Sequence, residues 1–530
     1  MSFPDSYDHV PLAWVGDWAG RRAQLTPKRE ALYDTGCDRR FTYAALNERA
    51  NRVGTFLLDE LGLEPGDVVS FIARNRVELV DLYFACGKTG LILAPLSHRL
   101  AKPELNDLLD RLQPKAFLHE AAFAETVDAL TIPDAVRASI SIGDDDTSDF
   151  EARVLSTEPR DVNRPLAMRA PYLYVHTGGT TATPKICIVT HRQMIWNSVD
   201  LIATGSGGAG MEGKELVTFP FFHVGGWNTV TPIFHLGGSA VLMREFEPDL
   251  ALDLIERERI THFGGVEAMF RFMMASDKFP NATLETVQYI NSAGAPCSAE
   301  VMDAFWAKGV PMTQSYGLTE AGPSNFIFVP DEASFTEKDI KAHADSIGFP
   351  MFHCDAEIVD PETREPVAQG ETGELRFRSP HNFDGYLNDP ERTAGAIDAD
   401  GWVYSGDLAQ QDDEGFVTIV GRADNVFLSG GENVSPEEIE NALSRHPAVD
   451  QVGVAGVPDE EWGQVGLAAV VQASGRSVSE AELQAFCREH LASFKAPKYV
   501  RFVDQLPLTG AGKIDRKRIA QMLDTAASTE

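Results

Sequence analysis

The chain has 530 residues, more than one hydrophobic core organises, so two or more domains are expected. Apolar residues make up 43% and charged residues 24%, the balance of a globular rather than a disordered protein. The formal charge of −33, from 46 basic against 79 acidic residues, argues against nucleic acid or an anionic membrane as main partner. An anionic ligand stays open, because a local ring of amides and a lysine outweighs a distant field.

The termini and cysteines narrow the class further. MSFPDSYDHV has no basic region followed by an apolar run, so no signal peptide is expected. No apolar run reaches 18 residues, so no membrane span is expected. The ending AASTE is not a peroxisomal address. Cys37, Cys86, Cys187, Cys297, Cys354 and Cys487 form no CxxC pair, and no histidine stands at ligand spacing from one. A reducing, cytoplasmic setting is therefore expected, without a zinc site or a disulfide framework.

In chain order, Leu46, Ala50, Val53, Leu57 and Leu61 recur at helical spacing. Pro65 and Gly66 end that pattern, and Val68 to Ala73 reads as a buried strand. A helix over Val80 to Cys86 and a strand over Leu91 to Ala94 follow. Leu216 to Phe219, Ala240 to Met243 and Val287 to Ile290 are further strand candidates. This alternation predicts largely parallel sheets covered by helices. From about Ala356 the texture changes to short strands joined by turns: Ala356 to Val359, Glu374 to Arg378 and Gly415 to Val420. They predict a small antiparallel sheet or barrel. A second boundary falls near Gly421 to Asn425. Beyond it, Ser435 to Glu438 and Ser479 to Glu482 have the form of capping boxes, the first with proline at the first helical position. With strands over Val452 to Ala455 and Leu467 to Val471, they predict a small α+β domain.

One stretch asks for an explanation. HTGGTTATPK, His176 to Lys185, lies between the apolar runs Tyr172 to Val175 and Ile186 to Val189. Its glycines let backbone N–H groups turn toward one point, its threonines add hydroxyl donors, and its lysine adds a compact charge. That inventory suits a polyphosphate, although the Walker A pattern is absent. A plain hairpin loop accounts for the residues equally well when they are taken alone. Four other stretches weigh against the plain reading. Gln314 to Glu320 sets an aromatic ring, a hydroxyl and a carboxylate just after a strand. Tyr404 to Asp407 puts an aspartate on a tight turn, able to hold a ribose diol by charge-assisted hydrogen bonds. Gly421 and Arg422 close a strand, and Leu506 to Lys513 carries a lysine on a glycine loop. Each alone passes for a turn or a surface charge, but all sit at strand ends and loops, where sites are built.

Together these stretches resemble, from Trp18 to Lys513 and in the same order, the adenylate-forming superfamily: acyl-CoA synthetases, aryl-CoA ligases, firefly luciferase and peptide-synthetase adenylation domains. The stretch resembles the family's phosphate loop [ST]SGTTGxPKG, with Gly178 for serine, Ala182 for glycine and Ile186 for glycine. Ala182 should stiffen the loop slightly. The resemblance implies an α/β fold. Residues 1–423 would form the adenylation domain, with two parallel-type α/β subdomains and a small β-barrel at about 341–423. Residues 424–530 would form a mobile α+β domain hinged at Asp424.

The site residues follow by the same resemblance. Thr177, Gly178, Gly179, Thr180, Thr181 and Lys185 would embrace the β- and γ-phosphates of ATP. Gly294, Ala295 and Pro296, with Gln314, Ser315, Tyr316 and Gly317, would hold the nucleotide, Tyr316 stacking on adenine. Thr319 would touch the α-phosphate and Glu320 would bind Mg²⁺. Asp407 and Arg422 would hold the ribose, and Lys513 would bridge the acyl carboxylate and the α-phosphate. His223 and Trp227, with Gly317, Leu318, Ala321, Gly322 and Phe326, would form the acyl pocket; Phe221 and Phe222 read as core. Ser429, Gly430 and Gly431 would line a tunnel for the CoA thiol.

The implied activity is an acid–CoA ligase using ATP, Mg²⁺ and coenzyme A on a mostly apolar fatty or aryl acid. No basic residue clearly waits for a second carboxylate, which disfavours a dicarboxylic acid. Relatives in the family are commonly dimers, though no segment here marks an interface. Three other readings share the motifs: loading of a carrier protein, an oxygenase of luciferase type, and a non-catalytic nucleotide-binding module. The joint presence of Lys513, Glu320 and Asp407 weighs against the last.

Overall fold

The structure is a computed structural model. It describes residues 17–144, 148–177, 184–205, 210–294, 297–328, 335, 337–429, 432–459, 462–491, 493–509 and 513–526. The chain forms two compact units, residues 1–356 with 377–403, and residues 357–376 with 404–530.

The first unit holds two large sheets. One has six strands in the order Ala138–Ile142, Ala116–Glu120, Val68–Ile72, Ile92–Leu96, Pro171–Thr177 and Lys185–Thr190. All neighbours are parallel except the last two strands, which are antiparallel with Thr177 opposite Lys185. The other has nine strands, running from Phe349–Pro350 through Phe326–Ile327, Met312–Tyr316, Tyr289–Ser292, His262–Gly265, Lys214–Val217, Ser239–Leu242 and Glu30–Asp34 to Arg39–Thr42. Its central neighbours are parallel and its margins antiparallel. Parallel strands buried on both faces need continuous apolar runs, and Val68–Ile72 and Ile92–Leu96 are buried at every position.

The helix predicted over Val80 to Cys86 extends over Val77–Thr89, and all of its residues are buried. Its charged side chains are therefore paired. Asp81 accepts two hydrogen bonds from Arg49 Nε and Nη2, at 3.0 and 2.7 Å to Oδ2, and Lys88 reaches Asp17 at 2.5 Å. Removal of one partner would leave an uncompensated buried charge, which costs several kcal/mol (~3–5). From this helix Tyr83 enters a stack of rings. Phe221 lies on Trp227 at 4.2 Å, Trp227 on Tyr83 at 4.5 Å, Tyr83 on Tyr172 at 4.7 Å and Tyr172 on His191 at 4.3 Å. Burial pushes His191 down to about 3, so its ring is neutral in the stack.

The second unit contains a five-stranded sheet whose longest strands, Val449–Asp459 and Gly463–Gln472, pair antiparallel over their length. Its helices Pro436–Leu443 and Glu480–His490 start where the capping signals place them. Ser479 forms the expected reciprocal cap with Glu482. Ser435 does not: its hydroxyl, with one proton to give, lies within hydrogen-bond distance of the Val420 carbonyl and of Glu437 Oε2 instead, and Glu438 binds Lys495. A four-stranded sheet, ordered Asp355–Val359, Gly373–Arg378, Val403–Gln411 and Val417–Arg422, occupies the region where short strands were expected.

Candidate active site

The strands on either side of the phosphate-type stretch form a hairpin. Gly178, Gly179, Thr180, Thr181 and Ala182 lie outside the described residues, as do Ala295, Pro296, Gly430 and Gly431. Both shoulders of the hairpin are described. His176 is buried, and burial pushes it down to about 4. A neutral ring can accept, and His176 Nε2 does so from the Ser97 N–H at 3.2 Å. This anchor of the hairpin was not singled out from sequence.

On the other shoulder, Lys185 points its ammonium at the Tyr386 hydroxyl (3.5 Å) and ring (5.0 Å to the centroid). The same hydroxyl donates to Glu320 Oε1 at 2.8 Å. Burial, then the Glu320 charge, pushes the Tyr386 hydroxyl well above its ordinary range, so it keeps its proton and donates. Tyr386 thus links the lysine expected on the phosphates to the carboxylate expected on the metal. Residues 384–387 reach this place by backbone bonds to the hairpin strand: Ile188 N–H donates to Gly385 O at 2.9 Å and Leu387 N–H to Ile186 O at 2.8 Å. Sequence reasoning missed Tyr386; Gly385 followed by an aromatic, after a strand, was the available signal.

Glu320 lies in the short turn Thr319–Ala321, which follows the strand Met312–Tyr316. The carbonyls of this segment are held from the protein interior. Thr319 O accepts from Gln193 Nε2 at 2.7 Å, Glu320 O from the Phe383 N–H at 2.9 Å and Ser324 O from Asn197 Nδ2 at 2.6 Å. Gly317 is obligatory here, since a Cβ would stand 1.8 Å from the Pro323 carbonyl oxygen. Among the described residues no group of three metal-ligating side chains occurs. A single carboxylate, Glu320, suits Mg²⁺ held chiefly by nucleotide phosphates rather than by a protein cage.

The expected nucleotide and acyl residues divide by exposure. Tyr316 is half-buried, with Phe326 and Phe377 at 6.4 and 6.0 Å. Gln314 is buried, and both ends of its amide have internal partners: the Cys297 N–H donates to Oε1 at 2.9 Å and Nε2 donates to Ala344 O. Ser315 Oγ pairs with Asn291 Oδ1, and Gly294 has φ +80°. His223 is exposed, beside Phe222 at 4.7 Å and His176 at 6.5 Å. Phe221 and Phe222 are buried, as expected of core. Trp227, expected on the pocket wall, is fully buried between Phe221 and Tyr83, so it shapes the wall from behind. Ala321, Gly322 and Phe326 are buried, while Gly317 and Leu318 are half-buried.

In the second unit, Asp407 and Arg422 face each other across two antiparallel strands, and Arg422 Nη1 donates to Asp407 Oδ1 at 2.9 Å. Asp407 does not stand on the tight turn expected from sequence: Gly406, with φ +70°, and Asp407 lie within the strand Val403–Gln411. This pair suits a vicinal diol, the arginine orienting the carboxylate. Asp424 lies in the short turn Ala423–Asn425, between the strands Val417–Arg422 and Phe427–Ser429. Ser429 is buried at the end of the latter strand. Lys513 is exposed, on a tight turn where its carbonyl accepts from the Thr509 N–H at 2.7 Å and its N–H donates to Thr509 Oγ1 at 3.3 Å.

Comparison with known proteins defines the class. A family profile described as AMP-binding enzyme matches residues 20–387, and one described as AMP-binding enzyme C-terminal domain matches residues 438–513. The chain belongs to this adenylate-forming superfamily. It is 35% identical to a feruloyl-CoA synthase of an Amycolatopsis species over 501 residues, covering 94% of this chain and 97% of the relative. It is 32% identical to an indoleacetate–CoA ligase of Aromatoleum aromaticum over 515 residues, covering 96% and 98%. The crystal structure of ATP-bound MatB from Rhodopseudomonas palustris superposes with a TM-score of 0.85 at 25% identity, covering 96% of this chain and 99% of that one. Within the superfamily the chain falls in the acid–CoA ligase branch. It is an AMP-forming acyl-CoA synthetase that uses ATP and CoA.

Proposed function

We propose that this ligase activates an aryl-substituted or arylalkanoic acid with one carboxylate and an apolar body. Two observations support the acid class: aromatic and small residues border the Thr319–Ser324 segment, and both curated relatives named above act by name on aryl acids. The observation that carries the site is the convergence of Lys185 and Glu320 on the Tyr386 hydroxyl.

The chemistry is dictated by charge. The acid's carboxylate attacks the α-phosphorus of ATP, forming a carbon–oxygen–phosphorus link as pyrophosphate departs. Both reactants are anionic, so the site must screen and align them. Lys185, with the loop amides, takes the β- and γ-phosphates. Tyr386 keeps Glu320 oriented. Mg²⁺ bound at Glu320 supplies neutralising charge to the phosphates. Asp407 and Arg422 hold the ribose, Tyr316 stacks on adenine, and Lys513 contacts the acyl carboxylate and the α-phosphate. The sulfur of CoA then attacks the acyl carbon, and AMP leaves with the bonding electrons.

Residues 1–423 and 424–530 are proposed as the functional domains, with rotation at Asp424 exchanging Lys513 for the Ser429–Gly431 segment between the two steps. The position of Asp424 in a three-residue turn between strands supports that reading.

The test is pyrophosphate release with Mg·ATP against aryl, arylalkanoic and fatty acids of graded length, with and without CoA. Turnover on aryl acids only with CoA is expected. Release confined to fatty acids overturns the substrate class. A burst that CoA does not sustain points to a carrier-protein acceptor.

A further inference from the structure

Helix His191–Ala203 follows directly on the strand Lys185–Thr190. Its residues Gln193, Asn197 and Asp200 recur at one helical face, and all three are fully buried. Gln193 and Asn197 hold the Thr319 and Ser324 carbonyls, as described above. Asp200 acts at one remove. Its Oδ2 accepts from His381 Nε2 at 3.0 Å, and His381 Nδ1 contacts the Ala321 carbonyl at 2.8 Å. His381 is fully buried. It also lies against Gly322, where a Cβ would be 2.5 Å from His381 Nδ1. Gly322 has φ +150° and admits no side chain without displacing the imidazole.

A carbonyl oxygen only accepts, and an ionised carboxylate only accepts. With the Ala321 carbonyl at Nδ1 and the Asp200 carboxyl at Nε2, the ring is held at both nitrogens. The polar groups facing this ring are Asp200 and Asn197 from the helix and the Ala321 carbonyl. The Asn197 amide, 3.5 Å from Nδ1, is engaged with Ser324 O. Asp200 is in turn faced by His353, whose ring and backbone N–H both reach its carboxylate, the N–H at 3.2 Å. Burial opposes ionisation of Asp200, but the two histidines outweigh it and hold the carboxyl below its usual range.

We propose that His381, held in place by Asp200, is a positioning residue for the acid substrate: it fixes the Ala321 carbonyl and Gly322 and thereby sets the floor of the acyl pocket. The proposal rests on the placement of the acyl site at residues 317–326. His381 contacts Ala321 and Gly322 and not Thr319 or Glu320, so KM for the acid should move more than KM for ATP.

The test uses the full-length enzyme and steady-state pyrophosphate release. His381→Asn keeps a donor where Nδ1 stands, and His381→Gln keeps one where Nε2 stands. A rise of about tenfold in KM for the acid is expected in His381→Gln, largely rescued in His381→Asn, with KM for ATP within about twofold in both. An equal rise in both variants, or a matching rise in KM for ATP, overturns the proposal. Side-chain nitrogen NMR of the wild-type enzyme with 15N-labelled histidine decides independently of any variant's folding. His381 ring-nitrogen signals of a side chain hydrogen-bonded at both nitrogens, changed in Asp200→Asn, are expected, and His381 signals unaffected by that substitution overturn the proposal. If no acid supports release, the functional reading fails while the NMR result still decides the state of His381.

Discussion

The Thr319–Ser324 segment of the first unit and the Lys513 turn of the second carry the two charges proposed to act in activation, and they are held differently. Around Glu320 four backbone carbonyls are gripped by buried side chains or by the Phe383 N–H. Around Lys513 two hydrogen bonds to Thr509 close the turn, and the side chain stands in solvent. A group that must be pre-aligned for phosphate chemistry belongs on a braced segment. A group that must serve one step and leave before the next belongs on an unbraced one.

Acid should break this contrast most strongly, by unfolding the braced side. His176, His235 and His262 are pushed down to about 4 and His191 to about 3, in each case chiefly by burial, and all four lie in the first unit. Their folded pKa values lie below the unfolded value of about 6.5, so the unfolded chain binds protons first as pH falls. Stability is complete above pH ~6.5 and should fall by about 1.4 kcal/mol per pH unit for each histidine down to pH ~4. Chemical denaturation at pH 7.5 and 5.5, followed by tryptophan fluorescence, measures it; equal midpoints would refute the assignment.

Next in size, Lys513→Ala should lower the adenylation rate by about 10²–10³-fold, the scale of one lost transition-state contact. Thioester formation from synthetic acyl-adenylate and CoA should survive. Both steps falling together would remove the contrast between the regions. Asp424→Pro should do the reverse, retaining pyrophosphate exchange while thioester formation drops by about a hundredfold (~2.7 kcal/mol). Equal loss of both steps would sink the hinge. The smallest effect is expected at the brace itself. Tyr386→Phe removes one hydrogen bond to a charged group, about 1.5 kcal/mol or roughly tenfold, and should raise the Mg²⁺ concentration needed for half-maximal rate. A rate unchanged at limiting Mg²⁺ would show that Glu320 needs no orienting partner.

Parts of the molecule were legible in the chain because their cause is local. Val68–Ile72, Ile92–Leu96 and Ser239–Leu242 are short apolar runs bounded by turn residues, and strands of a buried parallel sheet have no other appearance. The Ser479 cap was equally local, requiring only residues three apart. The same motif misled at Ser435, whose hydroxyl found the Val420 carbonyl, a partner fifteen positions away. Trp227 was expected on the pocket surface, and a tryptophan in a glycine-rich segment fits a wall or a core alike. Only the arrival of Tyr83 and Phe221 on its two faces put it inside.

By itself the sequence determined the alternation of strands and helices, the order of the phosphate, ribose and lysine motifs, and so the class of reaction. Each of these is written in adjacent residues, through periodicity, turn chemistry or a short motif. Tertiary structure alone decided that Tyr386 joins Lys185 to Glu320, and that Asp200 reaches Ala321 through His381. Those contacts span 60 to 201 positions along the chain. A hydrogen bond closes only when both partners are within about 3 Å, and separations of that order are set by sheet packing, to which no local pattern is sensitive.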